Sequence, residues 1–218
     1  MWRWHLSGLG VNQKYLGFGV DFFDADNDGW KDIFVANGHV YSQIANQKLH
    51  IAYRQPKVLY RNLGNGRFED VSRRAGTAIR AENLGRGCAF GDFDNDGDVD
   101  VLVNNLDGPP TLLRNDGGNR QNWILIKCIG SRSNRSAIGT RVRVSSGTHR
   151  QIDEVRSGSS YYSQRDFRLH FGLGAAAKAD IVELSWPSGV TETFRDLPAG
   201  HLIVIQESTG IVNRQKFG

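Results

Sequence analysis

The sequence predicts an all-β chain in which two repeated β-units precede a small antiparallel β domain. Gly is abundant at 26 residues, Pro is scarce at 5, and Val, Ile, Thr and aromatic residues recur in short runs. This composition is typical of many short strands joined by tight turns. At 218 residues the chain is long enough for one large domain or two small ones.

The clearest motif is the aspartate-rich stretch GDFDNDGDVDVLVNN at residues 91–105. Carboxylates stand at positions one, three, five and nine of a loop, Gly97 stands at position six, and a run of β-forming residues follows. Alternate oxygen ligands around a glycine turn suit a hard divalent cation, and Ca²⁺ tolerates flexible cages better than Mg²⁺. The loop is therefore predicted to bind Ca²⁺ through Asp92, Asp94, Asp96 and Asp100, with the backbone carbonyl of Asp98 at position seven.

The same loop occurs earlier, in GFGVDFFDADNDGWKDIFVANG at residues 17–38. Gly29 takes position six there, and the predicted ligands are Asp24, Asp26, Asp28, Asp32 and the backbone carbonyl of Trp30. Because only the carbonyl of position seven would bind, its side chain is free to differ between the copies. The repeat predicts two structural calcium sites of one kind.

The spacing of the two copies predicts propeller blades. Asp92 follows Asp24 by 68 residues, and VLYRNLGNG with Asn62 is matched by TLLRNDGGN with Asn115. The distance from loop to Asn is 38 residues in the first copy and 23 in the second, so about 15 residues are inserted within residues 39–56. The remaining period of roughly 53 is close to the 40 to 50 residues of a four-stranded propeller blade.

Two other interpretations of the loops compete with calcium binding. An EF-hand would need a bidentate Glu at position twelve and flanking helices, whereas Val35 and Val103 hold that position and both flanks resemble strands. Aspartate-rich turns without metal are the second alternative, because Asp and Asn form turns well. Two copies with the same acidic positions favour the metal. Since no catalytic constellation accompanies the loops, the ions are predicted to be structural.

The pattern changes after residue 118. Short alternating runs such as NWILIKCIG, GTRVRVSSG and HLIVIQE are separated by Gly, Pro, Ser or Asn turns, which predicts an antiparallel sandwich or barrel. The predicted organisation is therefore a partial β-propeller of about two blades over residues 1–118, a small β domain over 119–208 and a flexible polar tail over 209–218. Cys88 and Cys128 are expected to be buried small side chains, and whether they pair stays open.

Charge and motifs limit the function classes. The net charge of +4 divides into −2 for residues 1–118 and +6 for the remainder. The basic residues are scattered, so no specific nucleic-acid partner is expected, although a polyanion stays an alternative for the second domain.

No stretch approaches the ~20 apolar residues of a membrane span, and the N-terminal MWRWHLSGLG lacks a signal-length apolar segment. The motifs GxSxG, HExxH, GxxxxGK[ST] and CxxC are absent, which disfavours an enzyme.

The two loop units resemble FG-GAP (VCBS-type) calcium repeats of β-propellers. The segment from NWILIKCIG through HFGLG to WPSG resembles the ASPIC/UnbV domain that follows such repeats in the cartilage acidic protein-like family. The resemblance covers nearly the whole chain. It implies an extracellular or cell-envelope propeller with a C-terminal β domain, of which this chain would be the C-terminal portion.

The leading functional hypothesis is a non-enzymatic, calcium-binding extracellular binding or scaffold module. Its expected partners are an unknown protein or glycan and the remaining propeller blades of a longer parent. One alternative is an accessory or catalytic component of a biosynthetic pathway whose active site needs the missing blades. The other is polyanion binding, for example of a glycan, by the basic C-terminal domain.

Overall fold

The computed structural model describes residues 7–46, 52–117 and 120–217, and every structural statement below refers to them. The fold is all-β, as predicted. Two 3-10 helices (η1, Gly10–Lys14; η2, Ser42–Asn46) and one four-residue α-helix (α1, Thr77–Arg80) accompany the strands. The strands are β1 Gly17–Phe23, β2 Asp32–Asn37, β3 Val58–Asn62, β4 Phe68–Asp70, β5 Gly85–Gly91, β6 Asp100–Asn105, β7 Thr111–Leu113, β8 Asn122–Ile129, β9 Arg141–Ser146, β10 His149–Glu154, β11 Leu169–Gly174, β12 Lys178–Ser185, β13 Thr191–Pro198, β14 His201–Gln206 and β15 Gly210–Lys216.

The two repeat units form two antiparallel sheets, here called blade 1 and blade 2. Blade 1 has the order β1-β2-β3-β4, and blade 2 has the order β5-β6-β7. Alternation along β1 turns Phe23 towards blade 2, where it packs with Phe90 at 5.2 Å between ring centroids. One apolar cluster joins the facing sides of both blades, including Phe34, Cys88 and Val101. The predicted partial propeller is therefore observed as two packed sheets.

The second domain is a β-sandwich. Its sheets have the orders β10-β9-β12-β13 and β11-β8-β14-β15. Alternate residues of both sheets, such as Ile124, Val142, Phe171 and Val182, share one buried cluster. All pairs in these sheets are antiparallel except β8 with β14, which run parallel. The predicted sandwich is present, with one parallel pair that local alternation could not reveal.

The polar C-terminus is structured rather than flexible. Residues 209–218 are predicted to form a flexible tail, but Gly210–Lys216 form β15, which pairs with β14 from Gln206↔Gly210 to His201↔Lys216. Most of β15 is solvent-exposed, which explains its polar sequence. The prediction is wrong because backbone pairing at a sheet edge needs no apolar side chains on the outer face.

The structure also bears on the expectations for the two cysteines, for a membrane span and for the insertion in the first repeat unit. Cys88 and Cys128 are both buried and both free. Burial raises the pKa of Cys88 to about 11 and that of Cys128 to about 12, so both thiols stay protonated at neutral pH. No helix in the described part of the chain is long and apolar enough to cross a membrane. The insertion within residues 39–56 includes η2, and its residues 47–51 lie outside the described residues.

Candidate metal centre

Each aspartate loop connects the first two strands of its blade, and the two loops have the same backbone conformation. In loop 1, residues 24–32, Asn27 has φ 58° and Gly29 has φ 92°; in loop 2, residues 92–100, Asn95 has φ 60° and Gly97 has φ 97°. Positions four and six are therefore both left-handed in both loops. Asn and Gly are the residues that adopt this conformation most readily, so the sequence determines this turn locally.

The first carboxylate of each loop accepts backbone hydrogen bonds across the turn. Asp24 accepts from the N–H of Asp28 at 3.2 Å and of Gly29 at 2.8 Å. Asp92 accepts from the corresponding N–H groups of Asp96 and Gly97, each at 3.1 Å. These bonds fold the loop back on its first residue.

The ninth carboxylate connects each loop to the third strand of the blade. Asp32 accepts from the N–H of Ala25 at 2.9 Å and from that of Asn62 at 2.7 Å. Asp100 does the same, accepting from Phe93 at 3.1 Å and from Asn115 at 2.8 Å. The two Asn residues that the repeat identifies thus have the same structural function in both copies.

Three carboxylates of each loop lie close enough together to bind one cation. Asp24, Asp26 and Asp28 in loop 1, and Asp92, Asp94 and Asp100 in loop 2, can each supply an oxygen within 4.8 Å of the other two. Asp32 and Asp96 are also predicted ligands, but they are not members of these two groups.

The two residues at position seven differ in surroundings. The ring of Trp30 packs on that of His149 at 4.6 Å between centroids, whereas the side chain of Asp98 is buried. Metal binding by their backbone carbonyls stays a prediction.

The electrostatics of both loops favour binding of a cation. Burial raises the pKa of Asp24 to about 8, that of Asp32 to about 7 and that of Asp92 to about 6. Burial also raises the pKa of Asp26 and Asp100. In addition, the Oδ1 atom of Asp26 is buried without a hydrogen-bond partner. Hard oxygen ligands in a partly buried, acidic loop are the donor set that Ca²⁺ prefers, so the residues fit this ion.

An arginine distinguishes the two loops. Arg61 in β3 forms ion pairs with Asp26 at 2.8 Å and with Asp28 at 3.1 Å. Its counterpart after β7, Arg114, instead pairs with Asp116 at 2.7 Å. Two carboxylates of loop 1 are therefore partly neutralised by protein, and the corresponding carboxylates of loop 2 have no such ion pair among the described residues.

The outward backbone carbonyls of the loops contact six side chains, of which the sequence repeat identifies only Asn115. The donors are Asn115 to Ala25 at 2.8 Å, Gln121 to Asp26 at 2.9 Å, His149 to Gly29 at 2.9 Å, Asn27 to Gly97 at 3.0 Å, His170 to Gly97 at 3.1 Å and Arg168 to Asp92 at 2.7 Å. Four of these donors belong to the segment that forms the sandwich. The Asn at position four of both loops is a signal from which Asn27 could have been found, but the sandwich donors carry no recognisable motif.

The loops and the sandwich pack closely at Gly172 and at Gly97. A Cβ atom added to Gly172 would lie 2.1 Å from Oδ2 of Asp24 and 2.6 Å from the backbone of Asn27. A Cβ atom on Gly97 would lie 2.0 Å from the indole of Trp123. The two loops are therefore the surface on which the second domain packs.

Comparison with known proteins agrees with this architecture. The model of the FG-GAP-like repeat matches residues 49–103, which contain loop 2 and not loop 1, and the ASPIC and UnbV model matches residues 130–212. The resemblance predicted from the sequence is confirmed. Cartilage acidic protein 1 of Homo sapiens is 30% identical over 172 residues, which are 76% of this chain and 24% of that protein.

Two further relatives give the same result. Cartilage acidic protein 1 of Mus musculus is 30% identical over 76% of this chain and 25% of its own length. The Xenopus tropicalis protein of the same name is 30% identical over 48% of this chain and 14% of its own length. The chain is thus homologous to these proteins and spans about a quarter of the length of the first two.

Proposed function

We propose that this chain is a non-enzymatic, calcium-stabilised binding or scaffold module of an extracellular or cell-envelope protein. The observation that carries the proposal is the duplicated loop, in which three carboxylates converge in each copy and the backbone conformation is the same. Asp24, Asp26 and Asp28 would hold one ion, and Asp92, Asp94 and Asp100 the other. Bound Ca²⁺ would supply positive charge and oxygen coordination, which stabilise the turn.

The ions would stabilise more than their own loops. Because the carbonyls of Asp26, Gly29, Asp92 and Gly97 bind donors from the sandwich segment, loop shape and domain packing are linked. A loop that loses its ion would expose repelling carboxylates to each other and move those carbonyls. We therefore assign both ions a structural function in fixing the sandwich against the blades.

The contacts of the buried ionisable groups support a non-enzymatic function. Asp153 forms ion pairs with Lys31, Arg156 and Arg165, and Glu207 accepts several backbone N–H groups. Burial lowers the pKa of His170 to about 4, and its Nε2 donates a hydrogen bond to the Gly97 carbonyl. Each of these groups is engaged in an ion pair or hydrogen bond that holds the fold together.

The exposed apolar faces of both blades support packing against further blades of a longer parent. Val20 and Phe22 lie exposed on one outer face, and Phe93, Leu102 and Leu112 on the other. Propeller blades bury such faces against neighbouring blades. A protein or glycan ligand would then bind the assembled surface.

Calorimetric titration with CaCl₂ tests the metal assignment. We expect two ions per chain, with dissociation constants of about 0.1–1 mM, the range of extracellular modules. The double variant Asp26→Ala/Asp94→Ala should lose both binding events, whereas Asp116→Ala, which removes an exposed carboxylate outside the loops, should keep both. Absence of binding heat, together with a melting temperature that is insensitive to chelator, would refute calcium binding.

A further inference from the structure

One sheet of the sandwich turns a regular grid of polar side chains to solvent. In the sheet β10-β9-β12-β13, Val142, Val144 and Val182 point into the buried cluster, so the residues that alternate with them point outward. We call this outward surface the arginine face. It consists of Arg150, Ile152 and Glu154 of β10, Arg141, Arg143 and Ser145 of β9, Ile181, Glu183 and Ser185 of β12, and Thr191, Thr193 and Arg195 of β13.

Strand register brings three arginines of this face near one another. Arg150 is opposite Ser145, two residues along β9 from Arg143, and Arg195 lies in the same row, opposite Ile181. With ~4.8 Å between strands and ~6.7 Å between alternate residues of one strand, the Cα atom of Arg143 lies about 8 Å from that of Arg150 and about 12 Å from that of Arg195. Arginine side chains are long enough for all three to contact one extended ligand.

These three guanidinium groups form no ion pair with any described residue. Arg141, on the same face, pairs with Glu154 at 2.9 Å, whereas Arg143, Arg150 and Arg195 are exposed without such a partner. Like charges on neighbouring strands repel each other, so an anion placed among the three would be attracted to the face.

The carboxylates of the face do not neutralise it. Glu183 stands opposite Arg143 in register, but the two form no ion pair in the described structure. Four arginines against two glutamates leave the face with a net charge of +2. The charge of the face is therefore complementary to a polyanion.

The kind of cation indicates the chemistry of the anion. All four basic residues of the face are arginines, and a guanidinium donates paired N–H bonds in a fork that matches the oxygens of sulfate, carboxylate or phosphate. The hydroxyl groups of Ser145, Thr191 and Thr193 add further donors on the same surface.

The shape and composition of the face disfavour nucleic acid. Sheets that bind single strands do so by stacking bases on exposed aromatic rings, and none of the residues of the arginine face is aromatic. The major groove of a duplex admits a helix or a two-stranded ribbon, whereas this face is four strands wide. A sulfated glycan requires charge and hydrogen-bond donors, and the face has both.

We infer that the arginine face binds a linear sulfated glycan, with Arg143, Arg150 and Arg195 each contacting a sulfate or carboxylate group. This inference names a ligand class for the proposed function and rests on that function in treating the chain as a binding module. It does not depend on calcium, so the two proposals fail separately: a chain that binds Ca²⁺ but no glycan refutes this inference alone.

Heparin is the probe for this ligand class. Fluorescein-labelled heparin oligosaccharide, titrated with the full chain in CaCl₂ and followed by fluorescence anisotropy, should show saturable binding. Three ionic contacts predict that the logarithm of the association constant falls against the logarithm of the NaCl concentration with a slope of roughly −2 to −3. Heparin from which the sulfates have been removed should bind at least about tenfold more weakly. Absence of saturable binding would refute the inference.

A triple variant locates the binding. Arg143→Gln/Arg150→Gln/Arg195→Gln should weaken heparin binding by about tenfold or more, since charge-assisted hydrogen bonds are lost, and should reduce the salt slope. The melting temperature should stay the same, because the three side chains are exposed and unpaired.

The matched control removes the same charge from the other sheet of the sandwich. Lys127, Arg214 and Lys216 are exposed on β8 and β15 and form no ion pair with described residues. Lys127→Gln/Arg214→Gln/Lys216→Gln should therefore change heparin binding less than about twofold. Equal weakening by the two triple variants would show that binding follows net charge and would overturn the inference.

A single substitution should act in the opposite direction. Glu183→Gln removes the unpaired carboxylate beside Arg143, so heparin should bind up to about fivefold more tightly. Weaker binding to this variant would contradict a polyanion on the face.

Competition distinguishes the glycan from nucleic acid. Oligothymidylate and a DNA duplex, each with the same number of charges as the heparin fragment, should displace it at least about tenfold less well than unlabelled heparin does. If either competes as well as heparin, the arginine face binds nucleic acid and the inference is wrong.

Discussion

The imidazole of His170 donates a hydrogen bond from Nε2 to the backbone carbonyl of Gly97, 3.1 Å away. The bond connects β11 of the sandwich with the turn of loop 2. Gly97 also accepts from Asn27 of loop 1 at 3.0 Å, so one carbonyl links both loops and the second domain. Because burial lowers the pKa of His170 to about 4, the ring is neutral at physiological pH.

Chelation of calcium is expected to loosen this junction. Without ions, repulsion among the loop carboxylates should shift the turn that holds the Gly97 carbonyl. Hydrogen–deuterium exchange in EGTA should therefore increase in Leu169–Gly174 relative to exchange in CaCl₂. The hairpin β12–β13 is the internal control, since β13 lies at the opposite edge of its sheet from β10, whose His149 contacts loop 1. Unchanged protection of β11 in EGTA would contradict the link between the ions and domain packing.

Gly172 should not tolerate a side chain. In Gly172→Ala the new Cβ would meet Asp24 at 2.1 Å and the Asn27 backbone at 2.6 Å, so loop 1 or β11 must move. Overpacking of this kind costs about 1–3 kcal/mol of unfolding free energy. Gly108→Ala is the control, because its Cβ would meet nothing closer than 3.9 Å. Urea unfolding in CaCl₂ measures both, and equal stability of the two variants would show that the junction is looser than described.

Asp153 is expected to be the most sensitive charge between the domains. Its side chain is fully buried and pairs with Lys31 of loop 1, Arg156 at 2.6 Å and Arg165 at 3.2 Å. Asp153→Asn would leave these cations without their shared anion, and breaking a buried ion pair costs about 3–5 kcal/mol. Asp196→Asn, which changes an exposed carboxylate paired with Lys178, should leave stability unchanged. Chemical denaturation at pH 7 compares the two, and a small effect at Asp153 would mean that water replaces the lost charge.

Arg61 is expected to compete with calcium at loop 1. Arg61→Gln removes the positive charge that pairs with Asp26 and Asp28, so these carboxylates become more available to a cation. Exposed ion pairs are worth ~0.2–1 kcal/mol each, which corresponds to roughly two- to thirtyfold tighter calcium binding for the two pairs together. Arg114→Gln is the matched control, because Arg114 pairs with Asp116 outside loop 2. Titration calorimetry should show one affinity changed in the first variant and neither changed in the second.

The pH dependence of stability should contain a contribution from Glu207. Burial would raise the pKa of Glu207, but hydrogen bonds from the backbone N–H of Ser133 and from the hydroxyl of Ser188 outweigh it. The pKa is about 2 in the folded state, below the ordinary 4.5. The stabilisation is thus complete above pH 4.5 and is lost as the pH falls towards 2.

Glu207→Gln should therefore reduce stability at pH 7, by about 2 kcal/mol or more because hydrogen bonds to a charged group are lost. It should also flatten the fall of unfolding free energy between pH 4.5 and 2. The exposed Glu183→Gln is the control and should follow the unaltered protein. Urea unfolding at several pH values measures the slope, and an unchanged slope in Glu207→Gln would assign the acid sensitivity to other carboxylates.

The sequence by itself determined the local features of this protein. Alternation of apolar residues predicted the strands, and Asp at fixed intervals around an Asn and a Gly specified the loop conformation found twice. These features depend mainly on residues within one turn or one strand, so their pattern is visible in the sequence.

The tertiary structure decided what the loops and edges contact. The polar tail became β15 through pairing with β14, and β14 also pairs in parallel with β8. The contact between Asn27 and Gly97 spans 70 residues, and that between His170 and Gly97 spans 73. Contacts at such separations depend on how whole sheets pack, because a backbone carbonyl accepts from any donor that the fold brings near it and therefore leaves no pattern in the sequence.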